Sequence, residues 1–219
     1  MNRTEPAEQC RLVLISPPGR DWRDISARLV AAMDGGDIAS ILLWPHGLAE
    51  DDFQRLCEAA VPRGQSAGIA MIVAGELRMA RRVRADGIHV EAREELARYS
   101  SQADDLILGA GGARTRHDAL ELGELRPDYL LFGRPGYDTR PEPHPRNLKL
   151  GEWWSAMVEI PCILLAGSEL ASIRATAATG AEFIAASEMI FGAGTDPAQA
   201  VREANRLLEE ASMERGEAS

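Results

Sequence analysis

The sequence predicts a single soluble (β/α)8 TIM barrel, an α/β fold, on three observations. Short β-rich apolar runs alternate with amphipathic segments along the whole chain, the pattern of a parallel α/β architecture. Eight such units can be counted, and 219 residues allow each about 27, near the compact end for barrels of this kind. The composition, 45% hydrophobic and 26% charged, supplies enough apolar surface for one sizeable core and excludes a wholly disordered chain.

The first unit reads as a strand over Leu12–Ile15 and a helix over Trp22–Met33. The second pairs Ile38–Leu43 with Asp51–Ala60, the third Ile69–Val73 with Leu77–Arg84, and the fourth Gly87–Val90 with Glu94–Tyr99. These strands are short, apolar on both faces and bounded by Gly, Asp or Pro, as covered parallel strands must be, and most of the helices carry one apolar stripe. The fifth unit is Leu106–Leu108 with Arg116–Leu122. The sixth, Tyr129–Phe132 with Gly151–Val158, is interrupted by Arg134–Arg146, where Gly, Pro and polar residues leave no period to follow. That stretch reads as a long loop on the C-terminal face, either covering a substrate or inserted without order. The seventh is Cys162–Leu165 with Leu170–Ala178, and Gly180 stands just past the helix end. The eighth is Phe183–Ala186 with Pro197–Ala211, where Asp196-Pro197 places a cap before proline at the first helical position. Residues 1–10 read as a flexible N-terminal segment, 11–212 as the barrel, and 213–219 as a frayed tail.

A net charge of −10 and a pI near 5.0 oppose any nonspecific grip on nucleic acid or anionic membrane, and no local basic run offsets them. Cys10, Cys57 and Cys162 are too far apart for a zinc pair or a disulfide framework, which favours a reducing cytoplasm. No apolar run is long enough to span a bilayer, and the opening residues lack a signal-peptide core.

Several segments in order carry a resemblance: Leu12–Ser16, Ala85-Asp86-Gly87-Ile88-His89-Val90, Asp128-Tyr129 through Phe132-Gly133, Ile160-Pro161, and Gly180-Ala181-Glu182. Together they resemble the thiamine-phosphate synthase / TenI family across nearly the whole chain. The resemblance implies a (β/α)8 barrel of thiamine biosynthesis that transfers a pyrimidine-methyl group from its diphosphate to a thiazole phosphate, with Mg2+ holding the leaving diphosphate. It implies as partner a small phosphorylated heterocycle, and leaves a homo-oligomer open. As alternatives, the chain is a non-catalytic or regulatory barrel for another heterocyclic or phosphorylated ligand, or a metal-independent thiazole tautomerase-like isomerase.

Residue by residue, the resemblance also shows replacements. The diphosphate-binding Gln-x-Arg-x-Lys pattern after the second strand falls on Leu42-Leu43-Trp44-Pro45-His46, and the Asn-Asp pair after the third on Ala74-Gly75. The second metal-binding Asp falls near Glu94. The Ser-x-His loop after the fifth strand becomes Gly111-Gly112-Ala113-Arg114, whose amides could receive an anion. Thr139-Arg140-Pro141 matches a Thr-Lys-Pro phosphate clamp, Ala166-Gly167-Ser168 a Gly-Gly-Ile phosphate turn, and Ser187-Glu188 a Val-Ser pair. The implied ligand-binding residues are therefore Trp44, His46, Gly111, Gly112, Arg114, Thr139, Arg140, Gly167, Ser168, Ser187 and Glu188, with Glu94 as candidate metal ligand.

Each has a plainer reading. His46 and His89 fit packing or hydrogen bonding, His117 and His144 exposure, and Trp44 either packing or stacking on a ring. Trp153-Trp154 fit an anchor of the sixth helix to the barrel wall. Glu91, Glu94 and Glu188 fit solvated rim charge, and Gly109 to Arg114 a plain turn.

Overall fold

The computed structural model describes residues 10–217 and is a closed barrel of eight parallel strands in chain order. The strands are β1 (Arg11–Ile15), β2 (Ser40–Leu43), β3 (Ala70–Ala74), β4 (Gly87–Val90), β5 (Ile107–Ala110), β6 (Tyr129–Phe132), β7 (Cys162–Leu165) and β8 (Phe183–Ala186). Between them run α1 (Trp22–Met33), α2 (Glu50–Ser66), α3 (Leu77–Val83), α4 (Arg93–Tyr99), α5 (Arg116–Gly123), α6 (Pro145–Met157) and α7 (Ser172–Ala177). After β8 come α8 (Glu188–Phe191) and α9 (Pro197–Glu217). β8 closes on β1 with Arg11 opposite Phe183 and Leu14 opposite Ala186, so the sheet's backbone groups are paired all round.

Alternation along each strand makes two cores. Val13, Ile15, Leu42, Ile72, Tyr129, Leu131, Ile163, Leu165 and Ala185 fill the barrel interior. Their neighbours, among them Leu12, Leu14, Ile41, Leu43, Ile88, Val90, Phe132 and Leu164, meet the helices. Trp154 is fully buried in that outer core, edge-on to Phe132 at 5.7 Å, and its Nε1 donates to the Ile160 carbonyl at 2.7 Å. Trp154 thus anchors α6 as expected, while Trp153 is only partly buried, under the Arg116 guanidinium.

At the N-terminal rim an acidic residue precedes each even-numbered strand and ties it to the odd strand before it. Asp86 Oδ2 accepts from the Met71 amide at 2.7 Å, Asp128 Oδ2 from Leu108 at 2.7 Å, and Glu182 Oε2 from Cys162 at 2.9 Å. Asp37 instead accepts from the Arg11 guanidinium, at 2.9 and 2.8 Å.

Strand limits shift by one or two residues from the sequence expectation, and the larger differences are in the helices. α2 continues through Pro62 to Ser66, because Phe53, Leu56, Cys57, Ala60, Val61 and Gly64 extend one buried stripe across the proline. α6 begins at Pro145: His144, half-buried rather than exposed, caps it by accepting from the Arg146 amide at 3.1 Å. Residues 188–191 form a short helix within what looked like a loop. α9 runs on to Glu217, past the expected end at Ala211, and Arg174 of α7 holds Glu214 at 2.7 Å. Most of the expected flexible segment 1–10 and the last two residues lie outside the described residues. No helix among the described residues is long and apolar enough to cross a membrane.

Candidate binding site at the barrel mouth

The C-terminal strand ends open into a cavity of about 850 Å3. Its β2 side is fixed by Ser16, whose Oγ accepts from the Trp44 amide at 2.8 Å. His46 has a left-handed φ of 45°, and its Nε2 lies 2.8 Å from the Ser16 carbonyl oxygen. A carbonyl only accepts, so Nε2 carries the proton and Nδ1 is bare. Burial lowers the His46 pKa, against smaller opposing effects of the Ser16 contact and Glu188, so the ring is neutral at neutral pH.

His89 points from β4 into the barrel, 1% exposed, with Nδ1 3.1 Å from the Tyr129 hydroxyl. The two rings stack at 5.7 Å, and a side chain at Gly109 would strike the Tyr129 ring at 2.0 Å. Burial pushes the His89 pKa down to about 3 and the Tyr129 phenol up. Both groups are therefore neutral, and they share one hydrogen bond in which the hydroxyl donates to Nδ1 or accepts from it according to the imidazole tautomer. Nε2 has no hydrogen-bond partner. Glycine at 111 leaves room for that atom, since a Cβ there would stand 3.0 Å from it.

The β6–α6 loop is docked on the mouth, which rules out a disordered insertion. Asp138 Oδ2 accepts from the Arg134 amide at 3.0 Å and from Asn147 Nδ2 at 2.9 Å. The Ser168 amide donates to the Arg140 carbonyl at 2.7 Å. A Cβ at Gly167 would lie 2.0 Å from the Pro141 oxygen, so the loop and the β7 turn approach as only glycine permits. Arg134 lies 4.3 Å over the Tyr137 ring, which is 73% exposed.

Of the ligand-binding candidates, Trp44, His46, Thr139, Gly167, Ser168, Ser187 and Glu188 come together on the cavity wall. Arg140, exposed, follows Thr139 just outside the wall. Gly111, Gly112 and Arg114 are not on it. The Gly111 amide donates to Val90 at 2.9 Å, and those of Arg114 and Thr115 to Asp118 Oδ2 at 2.9 and 3.0 Å. Asp118 and Thr115 form a capping box on α5, so these amides serve the helix rather than an anion. Gly112 has φ +87°, and a Cβ there would meet the Glu91 carbonyl at 2.5 Å. His117 is exposed beside Glu121, as expected.

Sequence reasoning treated Glu91 as rim charge, and that residue is exposed at the cavity wall; the same reasoning passed over Tyr137 and Asp138, which line the same wall. Burial raises the Glu91 pKa, with Arg134 and Arg114 opposing. A smaller cleft of about 220 Å3 adjoins the mouth, lined by Trp44, Ala74, Gly75, His89, Glu91 and Glu95. Among the cavity-lining side chains His46 alone is basic, and Glu91, Asp138 and Glu188 bring carboxylates.

These residues do not fit Mg2+. Ala74 and Gly75 bring no side-chain oxygen, Glu94 is exposed in the first turn of α4, and no group of three or more metal-capable side chains gathers among the described residues.

Comparison with known proteins gives a consistent picture. A family model described as thiamine monophosphate synthase matches residues 12–190. The chain is 30% identical over 202 residues to the thiamine-phosphate synthase of Rhodospirillum centenum, covering 91% of this chain and 98% of the relative. It is 30% identical over 216 residues to that of Hyphomonas neptunium, covering 94% and 96%. Its fold is shared with a thiamine phosphate pyrophosphorylase from Pyrococcus furiosus, with a TM-score of 0.76 at 20% identity, covering 94% of this chain and 98% of that one.

Proposed function

Because this chain belongs to the thiamine monophosphate synthase family, we propose that it is a synthase-like protein of thiamine biosynthesis whose mouth holds a phosphorylated heterocycle. The observation that carries this is the 850 Å3 cavity, whose wall the hydroxyl-bearing Thr139, Ser168 and Ser187 share with Gly167. The hydroxyls and the turn amides after β8 bond the phosphate, Arg140 supplies the nearby cation, and Trp44 packs against the ring. Cys10, Cys57 and Cys162 are buried free thiols, which supports a reducing, cytoplasmic setting.

In the transfer that names the family, the C–O bond to the diphosphate breaks with its electron pair leaving on oxygen. The thiazole nitrogen lone pair then forms the new C–N bond. Thiamine-phosphate synthases use Mg2+ for the departing charge; this chain has no matching donor set, and its cavity wall offers carboxylates and a neutral imidazole. Binding is therefore expected to persist while turnover falls, since each lost charge contact is worth about 3–4 kcal/mol in a comparable site.

The test is thermal unfolding with thiazole phosphate. Ligand at about 100 times its Kd adds about 2.7 kcal/mol, and Thr139→Val with Ser187→Ala is expected to remove most of that shift. No stabilisation by thiazole phosphate would overturn the proposal.

A further inference from the structure

We infer that the β2–β4 side of the mouth takes a flat nitrogen heterocycle, neutral or cationic, that carries no diphosphate, and takes it without a divalent cation. This rests on the reading of the mouth as the ligand site and assigns the chemistry of its second half.

The first support is the wall. At the strand ends where a diphosphate would need cations, this chain places Trp44, Ala74 and Gly75, with Glu91 and Glu95 beside them. A multiply charged anion there meets the exposed Glu91 and the Glu95 carboxylate, the latter 3.9 Å from Arg98, and finds no cationic side chain on the cleft wall itself. An aromatic cation or neutral amine meets the reverse situation, with carboxylates accepting its N–H groups and the indole face beneath its ring.

The second support is His89. Its Nε2 is a buried polar atom with no partner, on a residue that lines the same cleft, and the Trp44 indole tilts over the imidazole at a centroid distance of 5.4 Å. Left unmade, such a bond is a standing cost to the fold. A ring that enters over the indole with a nitrogen at its edge satisfies it. The Tyr129 hydrogen bond occupies Nδ1 and leaves Nε2 as the polar atom free to meet a ring nitrogen, while Glu91 and Glu95 accept from donors at the ring's edge.

Calorimetric titration of the full chain distinguishes the possibilities, using 4-amino-5-hydroxymethyl-2-methylpyrimidine and its diphosphate as probes, each with and without millimolar Mg2+. The alcohol is expected to bind at least about tenfold more tightly than the diphosphate, with no gain from Mg2+ in either case. Glu91→Gln should narrow that preference by restoring diphosphate affinity. His89→Phe should weaken the alcohol while leaving thiazole phosphate unchanged. Because the His89 variant removes a buried residue, a 15N NMR shift of His89 Nε2 on adding the alcohol gives a second readout in the unmodified protein. Tighter binding of the diphosphate, a requirement for Mg2+, or no binding of the alcohol would each overturn the inference. If the alcohol binds and thiazole phosphate does not, the phosphate reading of the opposite half fails and this one stands.

Discussion

His89 and Tyr129 place a hydrogen-bonded polar pair at the centre of an apolar barrel, and the protonation of that pair sets a measurable property of the fold. Burial holds the His89 pKa at about 3 against an ordinary 6.5. Between those values the unfolded chain binds a proton that the folded chain refuses. Stability therefore rises with pH through the window, is complete above about 6.5, and is lost as pH falls toward 3. Urea unfolding between roughly pH 4 and 6 should show wild type losing about 1.4 kcal/mol per pH unit more than His89→Phe. Equal slopes would mean that His89 is solvated in the folded state. The sequence allowed His89 a packing or hydrogen-bonding role, and that reading holds. The Tyr129 partner was not legible, because the contact crosses 40 positions and depends on Gly109 having no side chain. Gly111 and Gly112 likewise stood out as unusual, but local sequence suggested a phosphate turn. The reason for both is the close approach of β4, which only the closed sheet creates.

At the scale of elements, the acidic residues of the N-terminal rim account for several segments that carried the family resemblance. Asp86, Asp128 and Glu182 fall within three of those segments, and each accepts the amide of the preceding strand. In such a barrel this face holds the structure while the opposite face holds the chemistry. Asp86→Ala and Asp128→Ala are each expected to cost about 1–3 kcal/mol by leaving a strand amide unpaired. The two should add, since they serve different strand pairs. Asp37→Ala breaks an exposed ion pair and should cost less than about 1 kcal/mol. Chemical denaturation of the three variants and the double variant checks the ranking; an Asp37 effect as large as the others would refute the stitching role. Strands were legible because apolar runs between polar breaks admit few alternatives. Helix limits were less so. The helix expected to end at Ala60 continues through Pro62 because the buried stripe does, and the proline-rich approach to α6 hid a cap made by His144.

The whole molecule separates into an interior core under the mouth and an outer core under the helices, and the two can be perturbed independently. Trp154 joins α6 to β6 in the outer core, on the other face of the sheet from the interior side chains under the cavity. Trp154→Ala is expected to cost about 3–5 kcal/mol in urea unfolding, yet to leave the affinity for thiazole phosphate within about twofold, because the cavity wall is set by other residues. A parallel collapse of affinity in the folded variant would show that the cores are coupled. The barrel was legible from its repeating pattern, whereas the mouth was legible only in part. Trp44, His46, Thr139, Gly167, Ser168, Ser187 and Glu188 do converge, but Glu91, Tyr137 and Asp138 join them through the docking of a loop that has no period of its own. That loop is fastened to the β7 turn through main-chain atoms, from the Ser168 and Glu169 amides to the Arg140 and Pro141 carbonyls. Peptide groups are common to every residue type, so mutations that rewrite the loop's side chains leave its anchorage intact. The vestibule can then keep its shape through a long drift in composition, and a scaffold inherited with one chemistry stays available for selection toward another.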